Sequence, residues 1–258
     1  MTLLRAIDGE LRKTLALPAA LVALGVALFG TIAAVSLIVA SSSAQPGHTA
    51  HATPAGVVFD AVPLGTVGAV ILGVIVISSE YTANSPDVGG GRQIGATLVA
   101  IPHRLILLLS KVAVVVVLIV ATTAVAVAAS LALAHVVLGT TEGQDDPGDT
   151  IARAAGVALY WTLMSLIAMA VTVFTRTGIV PLIWFIANSS LISVSLLLSK
   201  ATSLARYLPD LAGMRLFAAP SSLAVHDPLE PFAGGLVMAA WAIVLLAAST
   251  LVFTRRDA

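Results

Sequence analysis

The feature that most constrains this chain is a recurrence of apolar runs, each about as long as a bilayer is thick. Residues 15–40, 61–79, 178–199 and 232–253 contain no Asp, Glu, Lys or Arg, and residues 105–135 and 152–175 contain one basic residue each. A membrane-crossing helix needs about 20 such residues. With no water to receive backbone N–H and C=O groups, each segment closes its hydrogen bonds internally as helix. Only 10% of residues are charged and 59% are hydrophobic, whereas a soluble domain is about a quarter charged. The sequence therefore predicts an all-α polytopic membrane protein, a single domain of 258 residues with six transmembrane helices at the runs above.

The start of the chain differs from the rest. Leu4, Ile7, Leu11 and Leu15 recur at helical spacing with Arg5, Asp8, Arg12 and Lys13 elsewhere on the wheel, the pattern of an amphipathic interfacial helix over residues 1–14. A signal peptide is the competing reading, with Ser42-Ser43-Ala44 as a cleavage site. The 15–40 run is longer than a signal core of about 7 to 15 residues, and the leader contains acids. We read it as a first span.

Basic residues orient the spans. With both termini cytoplasmic, nine basic residues lie inside (Arg5, Arg12, Lys13, Arg92, Arg104, Lys111, Arg176, Arg255 and Arg256) and four outside (Arg153, Lys200, Arg206 and Arg215), as the positive-inside rule requires. Residues 80–104 are then a cytoplasmic connector and residues 200–231 an outer segment of mixed character. Lys111, inside an apolar run, is expected to face protein or to snorkel to the interface. Asp149 or Thr150 is expected to cap the fourth span.

Several chemistries are excluded. The sequence has no His-Glu-x-x-His, no Gly-x-Ser-x-Gly and no dinucleotide fingerprint, and Gly89-Gly90-Gly91 precedes Arg92-Gln93 rather than Lys-Ser/Thr. The chain is read as a non-enzyme that binds no cofactor and no nucleic acid. His48 and His51 lack a third local ligand, and Glu142, Asp145, Asp146 and Asp149 lack the alternation of a calcium loop. The spans hold few acids or histidines, which disfavours an ion-driven carrier. Two polar or small-residue faces are candidates for function. Gly65, Ala69 and Gly73 form a small-residue seam for helix packing or a dimer. Asn188, Ser195 and Ser199 share one face of the fifth span, either lining a substrate path or fastening helices by hydrogen bonds.

Ser78-Ser79-Glu80-Tyr81 at the end of the second span, then Gly91-Arg92-Gln93-Ile94, Thr97-Leu98, Ile101-Pro102, Arg104 and Lys111, together resemble the membrane (permease) subunits of type-2 ATP-binding-cassette (ABC) exporters, in particular their six-span actinobacterial branch. The residue-level likeness covers 78–111; span number and the amphipathic start extend it along the chain. The insert at 82–90 is longer and richer in Pro and Gly than that family's pattern. The resemblance implies a bacterial plasma-membrane permease that works as a homodimer or beside a second permease, in membrane lipid. Separate ABC ATPase subunits would hold ATP and Mg. The expected cargo is an amphiphile such as an antibiotic, peptide or lipid, and the expected role is efflux. It further implies short re-entrant helices before the last span and an ATPase-coupling segment comprising Glu80, Arg92, Gln93, Thr97, Leu98, Pro102 and Arg104. The alternatives from other classes are a non-transporting membrane anchor or regulatory subunit, and an ion-driven carrier.

Overall fold

The computed structural model describes residues 3–43, 53–82, 93–100, 103–139, 146–189, 194–218 and 229–255, and these contain helices and no strands. In order they are α1 (Leu3–Ala16), α2 (Pro18–Ser43), α3 (Pro54–Ser78), α4 (Gln93–Ala100), α5 (Arg104–Leu138), α6 (Pro147–Thr175), α7 (Ile179–Ser189), α8 (Val194–Ala201), α9 (Pro209–Met214) and α10 (Pro231–Arg255). Short 3-10 turns cover Ser79–Tyr81 and Ser203–Tyr207. Among the described residues, five helices are long and apolar enough to cross a membrane: Pro18–Ser41, Pro54–Tyr81, Arg104–Leu138, Pro147–Thr175 and Pro231–Phe253. This is the architecture of a multi-pass membrane protein.

Caps explain where the observed limits depart from those expected. The second long helix begins at Pro54 rather than at 61, because Thr53 caps it by accepting from the Gly56 N–H and Pro54 occupies its first turn. The fourth starts at Pro147 rather than at 152. Its cap is Asp146, which accepts from the Asp149 N–H, and not Asp149 or Thr150. Asp146 precedes a proline at the first helical position, where a missing N–H costs nothing. At its other end α6 stops on Arg176, whose φ of 53° is left-handed and whose N–H bonds the Thr172 carbonyl at 2.9 Å. Where a continuous span was expected over 178–199, the described residues hold two helices, α7 of 11 residues and α8 of 8. At about 1.5 Å per residue neither is long enough to cross by itself.

Packing around α3 organises the bundle. Its neighbours are α2 on one side and α6 on the other, with α5 closing a third side. Gly65 sits so close to α6 and α2 that a Cβ there would meet Trp161 at 2.3 Å and the Thr31 hydroxyl at 2.2 Å, and at Gly73 it would meet the Ser165 carbonyl oxygen at 2.2 Å. Ala69 between them is fully buried. The seam is thus consumed inside one protomer by α2 and α6, and presents no surface to a second copy. Several buried hydroxyls bond within their own helices, as in Thr31 to the Ala27 carbonyl at 2.9 Å and Thr172 to the Ala168 carbonyl at 2.7 Å, whereas those of Ser130, Thr162 and Ser165 have no partner among the described residues. In lipid, where apolar burial gives little drive for helix association, such close backbone approach supplies the attraction.

The bundle has two distinct ends. At the first end meet α1, the 3-10 turn after α3, α4, the start of α5 and the end of α10; Arg104 Nη1 donates to the Phe253 carbonyl at 2.9 Å, and Phe253 packs on Ala6 and Leu107. Gly178 lies there too, against Ser78. At the second end, Arg153 near the start of α6 stacks over Phe59 at 4.2 Å and donates to the Phe217 carbonyl at 2.7 Å. The chain therefore passes from the first end to the second between 178 and 217.

Candidate functional site

Two helices with unlike roles converge at the first end. α1 has three faces. Ala6, Glu10 and Thr14, spaced four apart, are buried against the protein. Leu4 and Leu15 on the next face are 78% and 41% exposed, so the apolar stripe is left for something other than this chain. Asp8 and Arg12 pair with each other on the remaining face at 3.1 Å, well solvated and of little energetic weight.

The buried face of α1 enters a four-charge node. Lys111 Nζ, on α5, lies 2.6 Å from Glu10 Oε2 and 2.7 Å from Glu80 Oε1. Lys13 Nζ also bonds Glu80 Oε1 and reaches Thr97 Oγ1 on α4 at 3.3 Å. Thr97 Oγ1 in turn donates to Glu80 Oε2 at 2.9 Å. The side chains of Lys111, Glu80 and Glu10 are only 3–4% exposed. Two carboxylates and two ammoniums cancel, so the group carries no net charge, which is the condition for burying charges at tolerable cost. Removing any one charged member leaves the site with a net charge, and removing Lys111 leaves Glu10 without its cation in a buried position.

Geometrically the node joins four elements: α1 through Glu10 and Lys13, the turn Ser79–Tyr81 that follows α3 through Glu80, α4 through Thr97, and α5 through Lys111. A second tie holds α4, the Gln93 N–H bonded to the Thr82 carbonyl at 3.3 Å. α4 is thus fixed on its inner side by Gln93, buried Ile94 and Thr97, while Val99 on its outer side is 87% exposed. This arrangement links α4 to the turn after α3 and to the start of α5.

Among the connector residues singled out from sequence, Glu80, Gln93, Thr97 and Arg104 come together at this end. Glu80 is buried against Lys13 of α1 and Thr97 of α4, and Arg104 opens α5 and is tied to the end of α10. Arg92 and Pro102 lie outside the described residues, as does the Leu98 side chain, and so do His48 and His51. The polar face expected on a fifth span divides. Asn188 donates to Asp210 Oδ2 at 2.8 Å and accepts from the Ser195 N–H and Oγ at 3.3 Å, tying α7, α8 and α9 together. Ser199 bonds back to the Leu196 carbonyl at 2.8 Å. Glu10 and Lys13 were not among the sequence candidates. The available signal was Lys111 itself, a cation within an apolar helix that requires an anion nearby.

No protein-family model matches this sequence, and no curated protein does either.

Proposed function

We propose that this chain is the transmembrane subunit of an ATP-driven exporter of the type-2 ABC class, with α4 as the element that receives force from a separate ATPase. The observation that carries this reading is the pairing of an anchored inner face on α4 with an exposed apolar Val99. A docking helix needs an open face for its partner and a stiff link to the spans. Nucleotide-driven closure of the partner would push α4, and the neutral node would pass that displacement to α3 and α5 as a rigid-body motion. The separate apolar stripe of α1 fits a helix lying in the membrane surface, which keeps Glu10 and Lys13 at interface depth.

In this reading the first end is cytoplasmic and the chain crosses six times. The five long helices supply five crossings. The passage from Gly178 to Phe217 supports the sixth, shared by α7 and α8, with α9 re-entering on the outer side. The cargo is an amphiphile, and the assembly contains two membrane subunits and two ATPases.

Detergent co-purification with the cassette ATPase encoded nearest to this chain tests the assignment. Charge reversal at Arg92 and replacement of Val99 by Glu are expected to weaken the complex while leaving the membrane chain folded. A folded chain that retains no ATPase, or retains it equally in both variants, removes the docking assignment.

A further inference from the structure

The second end holds a cavity that the coupling reading does not use. It has a volume of about 700 Å³ and lies between the start of α6, the α9 segment and the start of α10. Its walls are largely apolar, including Leu159, Leu216 and Phe232, with three charged side chains: Asp149, Arg153 and Arg215. Arg153 is already engaged. It bonds the Phe217 carbonyl, stacks on Phe59 and stands 3.7 Å from Asp149. Arg215 is different. It is only 8% exposed, its Nε donates to the Leu229 carbonyl at 2.6 Å, and its Nη1, itself buried, has no partner among the described residues. A guanidinium is always charged, and a buried charge lacking a counterion is costly. Among the described residues nothing completes it.

The surroundings say what kind of group would. A second groove, of about 390 Å³, runs between α5 and α6 and is lined by Val120, Val127, Leu131, Ile151 and Ala158 among others, none of them charged. The two cavities share Ala155, an exposed small residue on α6. A ligand with an anionic head and an apolar chain would fill both, head on Arg215 and chain across Ala155. Phe232, 78% exposed, and Leu159, 43% exposed, leave the cavity open sideways at the end of the spans, where a bilayer presents its headgroups.

We infer that this cavity binds an anionic phospholipid of the adjoining leaflet, its phosphate on Arg215 and one acyl chain lying across Ala155 into the α5–α6 groove. Two guanidiniums against the single carboxylate of Asp149 leave the cavity net positive, which favours an anionic lipid over a zwitterionic one. The inference does not rest on the exporter reading, because it requires no ATPase.

The test uses the full-length chain, stripped of lipid in detergent and titrated with phosphatidylglycerol or phosphatidylcholine while thermal stability is followed. A ligand bound only by the folded state raises the melting temperature with concentration. Phosphatidylglycerol is expected to stabilise the wild type more than phosphatidylcholine does. Arg215→Gln is expected to need about tenfold more phosphatidylglycerol for the same shift, the loss of one charge-assisted contact; Arg215→Lys should recover part of it. Ala155→Trp, at an exposed position, blocks the chain path and should weaken binding while Arg215 stays intact. Equal shifts from the two lipids overturn the inference, and so do unchanged titrations in both Arg215→Gln and Ala155→Trp. Competition by free glycerol phosphate as strong as that of the lipid would make this a soluble-anion site instead. A dimer that Ala155→Trp dissociates would assign the surface to a second copy. Should Arg215→Gln fail to fold, an unchanged titration of Ala155→Trp is by itself sufficient to overturn the lipid site.

Discussion

Replacing Lys111 by Met isolates the energetics of the node. Methionine keeps an unbranched side chain one atom shorter and removes the ammonium that lies 2.6 Å from Glu10 and 2.7 Å from Glu80. Glu80 keeps Lys13 and Thr97. Glu10, only 3% exposed, loses the cation it pairs with and becomes the uncompensated charge. Breaking a buried pair from one side costs about 3–5 kcal/mol. We take about 3, since Lys13 remains to hold Glu80. For a chain of this size about 2–4 °C accompanies each kcal/mol, so the melting temperature in detergent should fall by roughly 6–12 °C. The companion variant sharpens the argument: Glu10→Gln in the Lys111→Met background restores neutrality and should recover at least about half of the loss, a non-additive outcome expected of residues in one network. Thermal unfolding of the purified full-length chain, followed by circular dichroism, reads both. A fall of less than about 2 °C in the single variant, or a double variant as unstable as the sum of its parts, refutes the claim that charge balance holds this end together.

Other consequences can be checked alongside. Thr97→Val should leave the lysine–glutamate contacts in place and loosen only α4, raising amide hydrogen exchange over residues 93–100 by about tenfold or more, since a hydrogen bond to a charged group is worth about 1.5–3 kcal/mol. Gly73→Leu should prevent assembly of the bundle, because even a Cβ there meets the Ser165 carbonyl at 2.2 Å; a normally folded variant, judged by size-exclusion profile, would remove the close-packing account. Leu4→Glu together with Leu11→Glu should release α1 from the membrane surface without disturbing Glu10, and proteolysis within residues 3–16 in reconstituted vesicles would report it. Asp146→Ala should cost about 1 kcal/mol through the lost cap, seen as a small drop in melting temperature.

How far the sequence discloses all this depends on the range of the interaction involved. Span existence and helical class follow from uncharged runs, a local property, and α2, α5 and α10 lie where those runs lie. Boundaries depend on single caps. Thr53 and Asp146 each precede a proline, a signal present in the sequence that was overridden by the location of the apolar stretch. The seam of Gly65, Ala69 and Gly73 was legible as a small face, but its partners were not: only the fold brings Trp161 and Ser165 against it. The node shows the limit most clearly. Glu10 and Lys111 are separated by 101 residues, and neither periodicity nor spacing links them. Glu80 carried a hint through its place at the end of a span, and the structure buries it there against Lys13, Thr97 and Lys111. Arg215 was counted merely as an outer charge, because nothing in a sequence tells that a guanidinium is buried with an open nitrogen.

The central claim is that α4 presents its outer face to an ATPase. The chain contains no cysteine, so a single introduced thiol is a clean reporter. Val99→Cys on α4 and Val136→Cys near the far end of α5 place comparably exposed positions, 87% and 83%, at opposite ends of the bundle. With a bifunctional thiol–amine crosslinker in membranes that contain the co-expressed cassette ATPase, Val99→Cys should capture the ATPase and Val136→Cys should not. Capture from Val136 alone, or from neither position when both thiols are shown to react, would contradict the account.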